Sequence, residues 1–278
     1  MAITVDDLPG GGPEVHGYTH AHMLKAIIAA LQQHRVSHAA GFVVGEMVES
    51  HPERQEALDA WMRAGFLVGN HTYSHDRIAE LGLEGFMDDI VRNRAVVDPL
   101  EARVAQQHSY FRFPYLEEGA THKERNALWQ LLQNQRYTLV RVSVTFGDTD
   151  WADAYLRCTE KGDGDSLAAL DRSYLANALA QLQWSVVAAR EVLGHPIPHV
   201  LLVHVNMPTA KNLDALLRAY EEQGVQFVPL EEALREPAYA AYYDVPGGAL
   251  LDQVSLRFGR PHPPELVEPD VLIDRLCR

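Results

Sequence analysis

The sequence predicts an α/β fold, a single domain built around a parallel sheet that closes into a barrel. Three observations predict it. Seven short apolar runs, Ala2–Val5, Ala39–Val44, Phe66–Val68, Tyr110–Phe113, Tyr137–Val144, Val200–Val205 and Gln226–Val228, carry β-branched and other apolar residues on consecutive positions, as strands buried on both faces do. Longer segments alternate with them: His20–Gln33, Glu53–Ala64, Leu83–Gln107, Thr121–Asn134, Leu167–Leu193 and Asn212–Glu222. No internal repeat or linker interrupts the alternation, and 278 residues suit one large domain.

The elements follow in order. The first run stops abruptly in two adjacent carboxylates, Asp6 and Asp7, a costly pairing at the end of a buried strand unless a positive group sits beside it. Pro9–Gly12 is Gly-rich but lacks the Lys-Ser/Thr of a phosphate loop, so it reads as a flexible loop beside a pocket. In the first helical segment Leu24, Ile27, Ile28 and Leu31 recur on one face. Asp98-Pro99 is expected to kink or split the third. Thr159–Ser166 reads as a polar loop, and Gly224 closes the last helix. Residues 1–236 are expected to form the barrel and 237–278 a C-terminal extension without an assigned role.

Composition narrows the partners. A hydrophobic fraction of 47% and a charged fraction of 22% are ordinary for a globular protein. The formal net charge of −14 argues against nucleic acid and anionic membranes, which require a basic footprint, and suits a neutral or cationic substrate. No apolar stretch approaches the ~20 residues of a membrane span. Cys158 and Cys277 show no metal-ligand spacing and are expected to be two independent thiols, the alternative being one bond between them in an oxidising compartment. No motif specifies the oligomeric state.

In a parallel barrel, chemistry gathers at the C-terminal ends of the strands. Those ends carry Asp6 and Asp7, then His71 and His75 in "NHTYSH", Arg112 and Tyr115 in "FRFPY", Asp148, Asp150 and Trp151 in "GDTDW", and His204 in "LLVHVN". Singly, each has an ordinary structural explanation; together, five complementary polar clusters fall on one edge. Histidines at i and i+4 share one helical face and can grip one ion, and a carboxylate from another strand completes a three-ligand set with an open position. Asp, His and His suit Zn²⁺, with Co²⁺ or Ni²⁺ chemically possible. One aspartate then binds the metal and the other stands by as general base, paired with Arg112.

At this point the residues resemble the polysaccharide deacetylase family, carbohydrate esterase family 4 (CE4). "TVDD" (4–7), "HTYSH" (71–75), "RFPY" (112–115), "GDTDW" (147–151) and "LVH" (202–204) are similar to its five motifs, in order. The resemblance spans Ala2 to about Leu234. It implies a distorted (β/α)7 barrel and hydrolysis of acetyl groups from sugars. Asp6 would be the catalytic base, held by Arg112, and Asp7, His71 and His75 the metal ligands. The backbone N–H of Tyr115 would stabilise the oxyanion. His204 would be the general acid, held by Asp150. Trp151 would wall the acetyl pocket, with Tyr115 and Leu202 also on the substrate side.

Three departures lie where a sugar would be gripped: Leu8 after the aspartates where the family commonly has glycine, Gly147 where it has an acid, with Asp148 shifted by one, and the "HVN" continuation after His204. The implied substrate is an acetylated carbohydrate. The alternatives are an O-acetyl (xylan-type) esterase, a glycan-binding relative that keeps a structural metal, and a hydrolase of a non-sugar amide. The family's work on wall and extracellular polymers implies an extracytoplasmic location, with any signal peptide removed upstream of Met1.

Overall fold

A computed structural model of the chain describes residues 1–14, 17–264 and 273–278. Six strands make its sheet: β1 (Ala2–Leu8), β2 (Ala40–Val43), β3 (Leu67–Asn70), β4 (Ser109–Phe111), β5 (Tyr137–Leu139) and β6 (Val200–His204). They lie in the order β5-β4-β3-β2-β1-β6, and every neighbouring pair is parallel. The helices are α1 (His20–Gln33), α2 (Gly45–Ser50), α3 (Gln55–Arg63), α4 (Ile78–Arg103), α5 (His122–Asn134), α6 (Ala152–Lys161), α7 (Gly164–Leu193), α8 (Met207–Glu222), α9 (Leu230–Ala233), α10 (Pro237–Ala240) and α11 (Leu250–Phe258). This is the α/β, single-domain, distorted barrel that the sequence predicts.

The sheet curls because one segment joins its two edges. Val140 N–H still donates to Phe111 of β4, whereas Ser143 and Val144 N–H donate to Val200, and Leu202 N–H donates back to Val144. The apolar run 137–144 therefore pairs with β4 at one end and with β6 at the other, which covers both edges. Gln226–Val228, expected as a seventh strand, lies outside the ladder. It makes two hydrogen bonds with Met1, and Pro229, which has no N–H to donate, then opens α9.

Burial follows the pattern of apolar runs. β2 and β3 are buried along their whole lengths, and α1, α3, α7 and α8 pack their apolar stripes around Trp61, Tyr155, Tyr174 and Tyr220. The break in α4 falls at Gly82 (φ 69°, ψ 166°) and not at Pro99, which the helix carries through to Arg103. Thr159–Ser166 is mostly helical, interrupted only at Gly162 (φ 64°) and Asp163.

Two findings concern the C-terminal part. Residues 237–258 pack directly on the barrel: Tyr239, Tyr243, Leu250, Leu251 and Val254 join the core cluster that contains Val140, Val142 and Leu202, and Arg141 donates to the carbonyls of Tyr239 and Ala241. Cys158 and Cys277, expected as independent thiols, form a disulfide with Cα atoms 5.1 Å apart. The last turn folds back onto α6, where Arg157 donates to the Ile273 carbonyl. A separation of 119 residues hid that pairing from the sequence. The rest of the extension, 265–272, lies outside the described residues. Among the described residues no helix is long and apolar enough to cross a membrane.

Candidate metal centre and its flanking acid–base pairs

The site sits where β1, β3, β4 and β6 end. In a regular strand Asp6 and Asp7 would point to opposite faces. Here Asp7 adopts φ 64°, and the β1–β2 register slips between Val5 and Leu8. Both carboxylates consequently reach one point: His71 Nε2 lies 3.5 Å from Asp6 Oδ2 and 3.6 Å from Asp7 Oδ1. A non-glycine residue in the left-handed region costs about 1–2 kcal/mol, which the surrounding contacts must offset. Of the eleven such residues among those described, Asp7, Thr72, His75, Tyr115 and Leu116 all fall in or beside the motif segments.

His71 and His75 converge, but not on a helix. Residues 71–77 form an irregular loop before α4, so the expected shared helical face is corrected. The loop curls through positive φ at Thr72 and His75, which places the two imidazole rings 4.9 Å apart. Neighbours clamp it. Asp89 Oδ2 accepts from the N–H groups of Tyr73 and Ser74, Asn70 Oδ1 accepts from Thr72 N–H, and Asn93 donates to Asn70 Oδ1 and to the Val43 carbonyl.

The ligand atoms of Asp7, His71 and His75 all lie within 4.8 Å of one another. His71 Nδ1 is 2.9 Å from the Arg112 carbonyl; a carbonyl only accepts, so Nδ1 carries the proton and Nε2 keeps a lone pair for a ligand. Burial, against the pull of Asp6 and Asp7, pushes the His71 pKa down to about 4, which keeps the ring neutral. Burial opposes ionisation of Asp7, yet the His75 imidazole beside it and the charge of His204 hold its carboxyl well below the usual range. Asp7 Oδ1 is buried, lies 3.2 Å from His75 Nε2 and accepts no well-formed hydrogen bond. An orphaned carboxylate oxygen between two neutral-capable imidazoles is the donor set a divalent cation completes.

Two ion pairs flank this cluster. On one side Arg112, fully buried, donates from Nη1 to Asp6 Oδ1 (2.7 Å) and Thr4 Oγ1 (2.8 Å), and from Nε to the Val140 carbonyl; its guanidinium lies 4.3 Å over Phe42. On the other, His204 Nδ1 is 2.8 Å from Asp148 Oδ1. Burial disfavours the imidazolium, but the charge and hydrogen bond of Asp148, with Asp7 and Asp6 beyond, push its pKa up to about 10. Asp148 Oδ2 also accepts from His204 N–H, Asn206 and Thr209, all within 2.9 Å.

The carboxylate that holds His204 is therefore Asp148, and the expectation of Asp150 is corrected. Gly147 in the left-handed conformation (φ 64°, ψ 44°) starts the short 3₁₀ turn Asp148–Trp151 one residue early, so Asp148 turns inward and Asp150 faces solvent. Trp151 is buried in the core: its indole N–H donates to Ser173 and its ring meets Tyr174 edge-on. Leu202 occupies the layer below His204, paired in register with Thr4 as His204 is with Asp6. Tyr115, half exposed at 49%, sets its ring edge-on to His75 and under the Arg77 guanidinium.

The departing residues have clear places. Leu8 is buried against Gly41, where a Cβ would come within 2.4 Å of it. The Gly-rich loop passes over Asp7: a Cβ at Gly11 would lie 3.0 Å from the Asp7 carboxylate. Arg54 and His20 hold that loop through the carbonyls of Gly10 and Gly12. Sequence reasoning missed Asn206, Thr209, Asp89 and Asn93. Asn206, in the "HVN" departure, carried a visible signal; the others lie in helices and carried none.

The chain is similar to known proteins in sequence and in fold. Residues 1–138 match the family model described as polysaccharide deacetylase. A peptidoglycan-N-acetylglucosamine deacetylase of Bacillus cereus is 28% identical over 152 residues, 54% of this chain and 46% of that protein, so the chain spans about half the length of the curated relative it matches. Among solved structures, a CE4 family pseudoenzyme from Bacillus anthracis has a TM-score of 0.56 at 19% identity, covering 84% of this chain and 64% of that one. The peptidoglycan deacetylase PdaC from Bacillus subtilis has a TM-score of 0.52 at 20% identity, covering 85% and 91%. At these identities the two structures share the fold.

Proposed function

We propose, from the match of residues 1–138 to the polysaccharide deacetylase family, that the chain is a metal-dependent hydrolase removing acetyl groups from N-acetylated sugars of a chitin- or peptidoglycan-type polymer. The observation that carries the reading is the pair of opposed ion pairs, Asp6–Arg112 and His204–Asp148, on either side of the Asp7, His71 and His75 cluster. A glycan-binding protein needs neither pair.

Asp7, His71 and His75 would hold the cation, Zn²⁺ by donor type with Co²⁺ or Ni²⁺ as substitutes. When bound, it supplies Lewis-acid activation of water and of the acetyl carbonyl. Asp6, held by Arg112, takes the proton from the attacking water. The oxyanion that develops on the carbonyl meets the backbone N–H of Tyr115. His204, charged at neutral pH, gives its proton from Nε2 to the departing sugar nitrogen, while Asp148 holds Nδ1. An amine leaves poorly unless protonated, so amide cleavage depends on this acid; acid and base are worth roughly 10²–10⁴-fold each. The Cys158–Cys277 disulfide favours an oxidising, extracytoplasmic compartment. The expected partner is an acetylated carbohydrate and not nucleic acid.

Acetate release tests the reading. The protein is stripped with a chelator, refilled with Zn²⁺ or Co²⁺, and offered N-acetylglucosamine oligomers, peptidoglycan fragments and acetylated xylan. Metal-dependent release from an N-acetylated substrate, lost in Asp6→Asn, is expected. Release from xylan alone would make it an O-acetyl esterase. No release despite one bound metal per chain would overturn the hydrolase reading.

A further inference from the structure

The turn that carries Tyr115 holds a conformation its residues resist. Tyr115 (φ 55°, ψ 13°) and Leu116 (φ 56°) are consecutive residues in the left-handed region, where a Cβ crowds the following carbonyl. Locally the turn is closed only by the N–H groups of Leu116 and Glu117, which donate to the carbonyls of Phe113 and Pro114. Backbone strain of this kind persists where the surroundings over-determine it.

The C-terminal segment 237–258 supplies three ties to the turn and the loop that follows it. The first is through the backbone. Gly248 N–H donates to the Leu116 carbonyl at 2.9 Å, and Gly247 lies so close that a Cβ there would come within 2.0 Å of that carbonyl and 2.5 Å of Glu118 N. The second runs through side chains. Buried Gln253 donates to the Glu118 carboxylate at 2.6 Å, and Arg141 grips the same carboxylate with two prongs of 2.9 and 2.8 Å. Arg141 donates in turn to the carbonyls of Tyr239 and Ala241. In the third, Asp244 accepts from Arg125 Nε at 3.0 Å, and that guanidinium also donates to the Ala120 carbonyl. The segment itself is fixed to the barrel by Tyr243, Leu250, Leu251 and Val254 in the core and by Leu250 N–H on the Val142 carbonyl.

We propose that the C-terminal segment 237–258 is a positioning element: through Gly247, Gly248 and Gln253 it holds Tyr115 and Leu116 in their left-handed conformation, and so aims the Tyr115 N–H that serves as oxyanion donor. The proposal rests on the deacetylase reading for what the aimed N–H does. The brace lies outside the 1–138 family match, whereas the turn it holds lies inside. The Arg141–Glu118 pair is almost wholly buried, with side-chain exposures of 2% and 14%. Burying an ion pair is costly and is weak evidence for stability alone; here the pair fixes where Glu118, and with it the turn, must sit.

Gly247→Ala drives a methyl group into the Leu116 carbonyl, and Gln253→Leu removes one donor from Glu118. Val192→Ala, in the same core cluster but on α7, controls for lost stability alone. With the zinc-loaded enzyme and an N-acetylglucosamine tetramer, each of the first two should lower kcat about tenfold, part of the ~10²–10³-fold that loss of a whole oxyanion donor costs. KM should stay within about twofold, since the interaction lost belongs to the transition state. Amide hydrogen exchange at Leu116, Glu117 and Glu118 should quicken about tenfold, and Val192→Ala should leave kcat and this exchange within about twofold. Should neither buried variant fold, Asp244→Ala, whose carboxylate is partly exposed, carries the same comparison. Unchanged exchange would overturn the proposal, as would faster exchange with unchanged kcat, or equal effects in Val192→Ala. If wild type releases no acetate at all, the deacetylase reading fails separately; faster exchange in Gly247→Ala or Gln253→Leu would then still uphold the brace, and unchanged exchange would overturn it.

Discussion

Asp6 and His204 stand opposite each other in register across the β1–β6 pair, one held by Arg112 and the other by Asp148. Neighbouring parallel strands lie about 4.8 Å apart, so the ladder itself sets the spacing between proposed base and acid. The partners then hold each side chain at that spacing.

Asp148 and not Asp150 controls His204. Asp148→Asn removes the charge that raises the imidazolium pKa to about 10, so the ring should deprotonate at a lower pH. NMR titration of His204 should show the fall, and deacetylation at pH 8 should drop by roughly 10²-fold or more. Asp150→Asn should change either measurement by less than twofold; equal effects of the two substitutions would refute the assignment.

Asp89 clamps the loop between His71 and His75 without itself belonging to the candidate ligand cluster. Its removal leaves the buried N–H of Tyr73 without its acceptor, a penalty of about 1–3 kcal/mol, and lets the His71–His75 loop drift. Asp89→Ala should lower the urea midpoint and weaken Zn²⁺ binding about 10–100-fold, read by competition with a chromogenic chelator. An unchanged Zn²⁺ affinity would show that the loop holds its shape alone.

Burial raises the Glu101 pKa to about 7 from an ordinary 4.5, against the Ser109 hydrogen bond. The folded state therefore holds a proton that the unfolded chain releases between those values. This contribution to stability is fully present below pH 4.5 and is lost as pH rises through about 7. Urea unfolding at pH 5 and pH 8 should show a smaller difference in Glu101→Gln than in wild type. An identical pH dependence would rule out this carboxyl as a source.

The Cys158–Cys277 disulfide closes a loop over most of the C-terminal half. Cys277→Ser, or a reducing agent, should lower stability by about 2–5 kcal/mol. Calorimetry under reducing and oxidising conditions measures it; coincident melts would mean that the last turn adds nothing to the barrel.

The sequence by itself determined the strand runs, their alternation with helices and the polar residues at their ends, because burial on both faces forces continuous apolar runs and strand ends are where such runs must stop. It also carried the residue types of the candidate metal cluster and the Asp6–Arg112 pairing. Tertiary structure alone decided which atoms meet. The positive φ at Asp7 turns two alternating carboxylates to one point, and the left-handed Gly147 makes Asp148 the inward acid; a one-residue shift in a turn leaves hydrophobic periodicity unchanged. The closing of 143–144 onto β6, the Asp89 clamp and the disulfide each join residues far apart in the chain. Such contacts depend on the path of the whole fold, and local residue patterns hold no record of it.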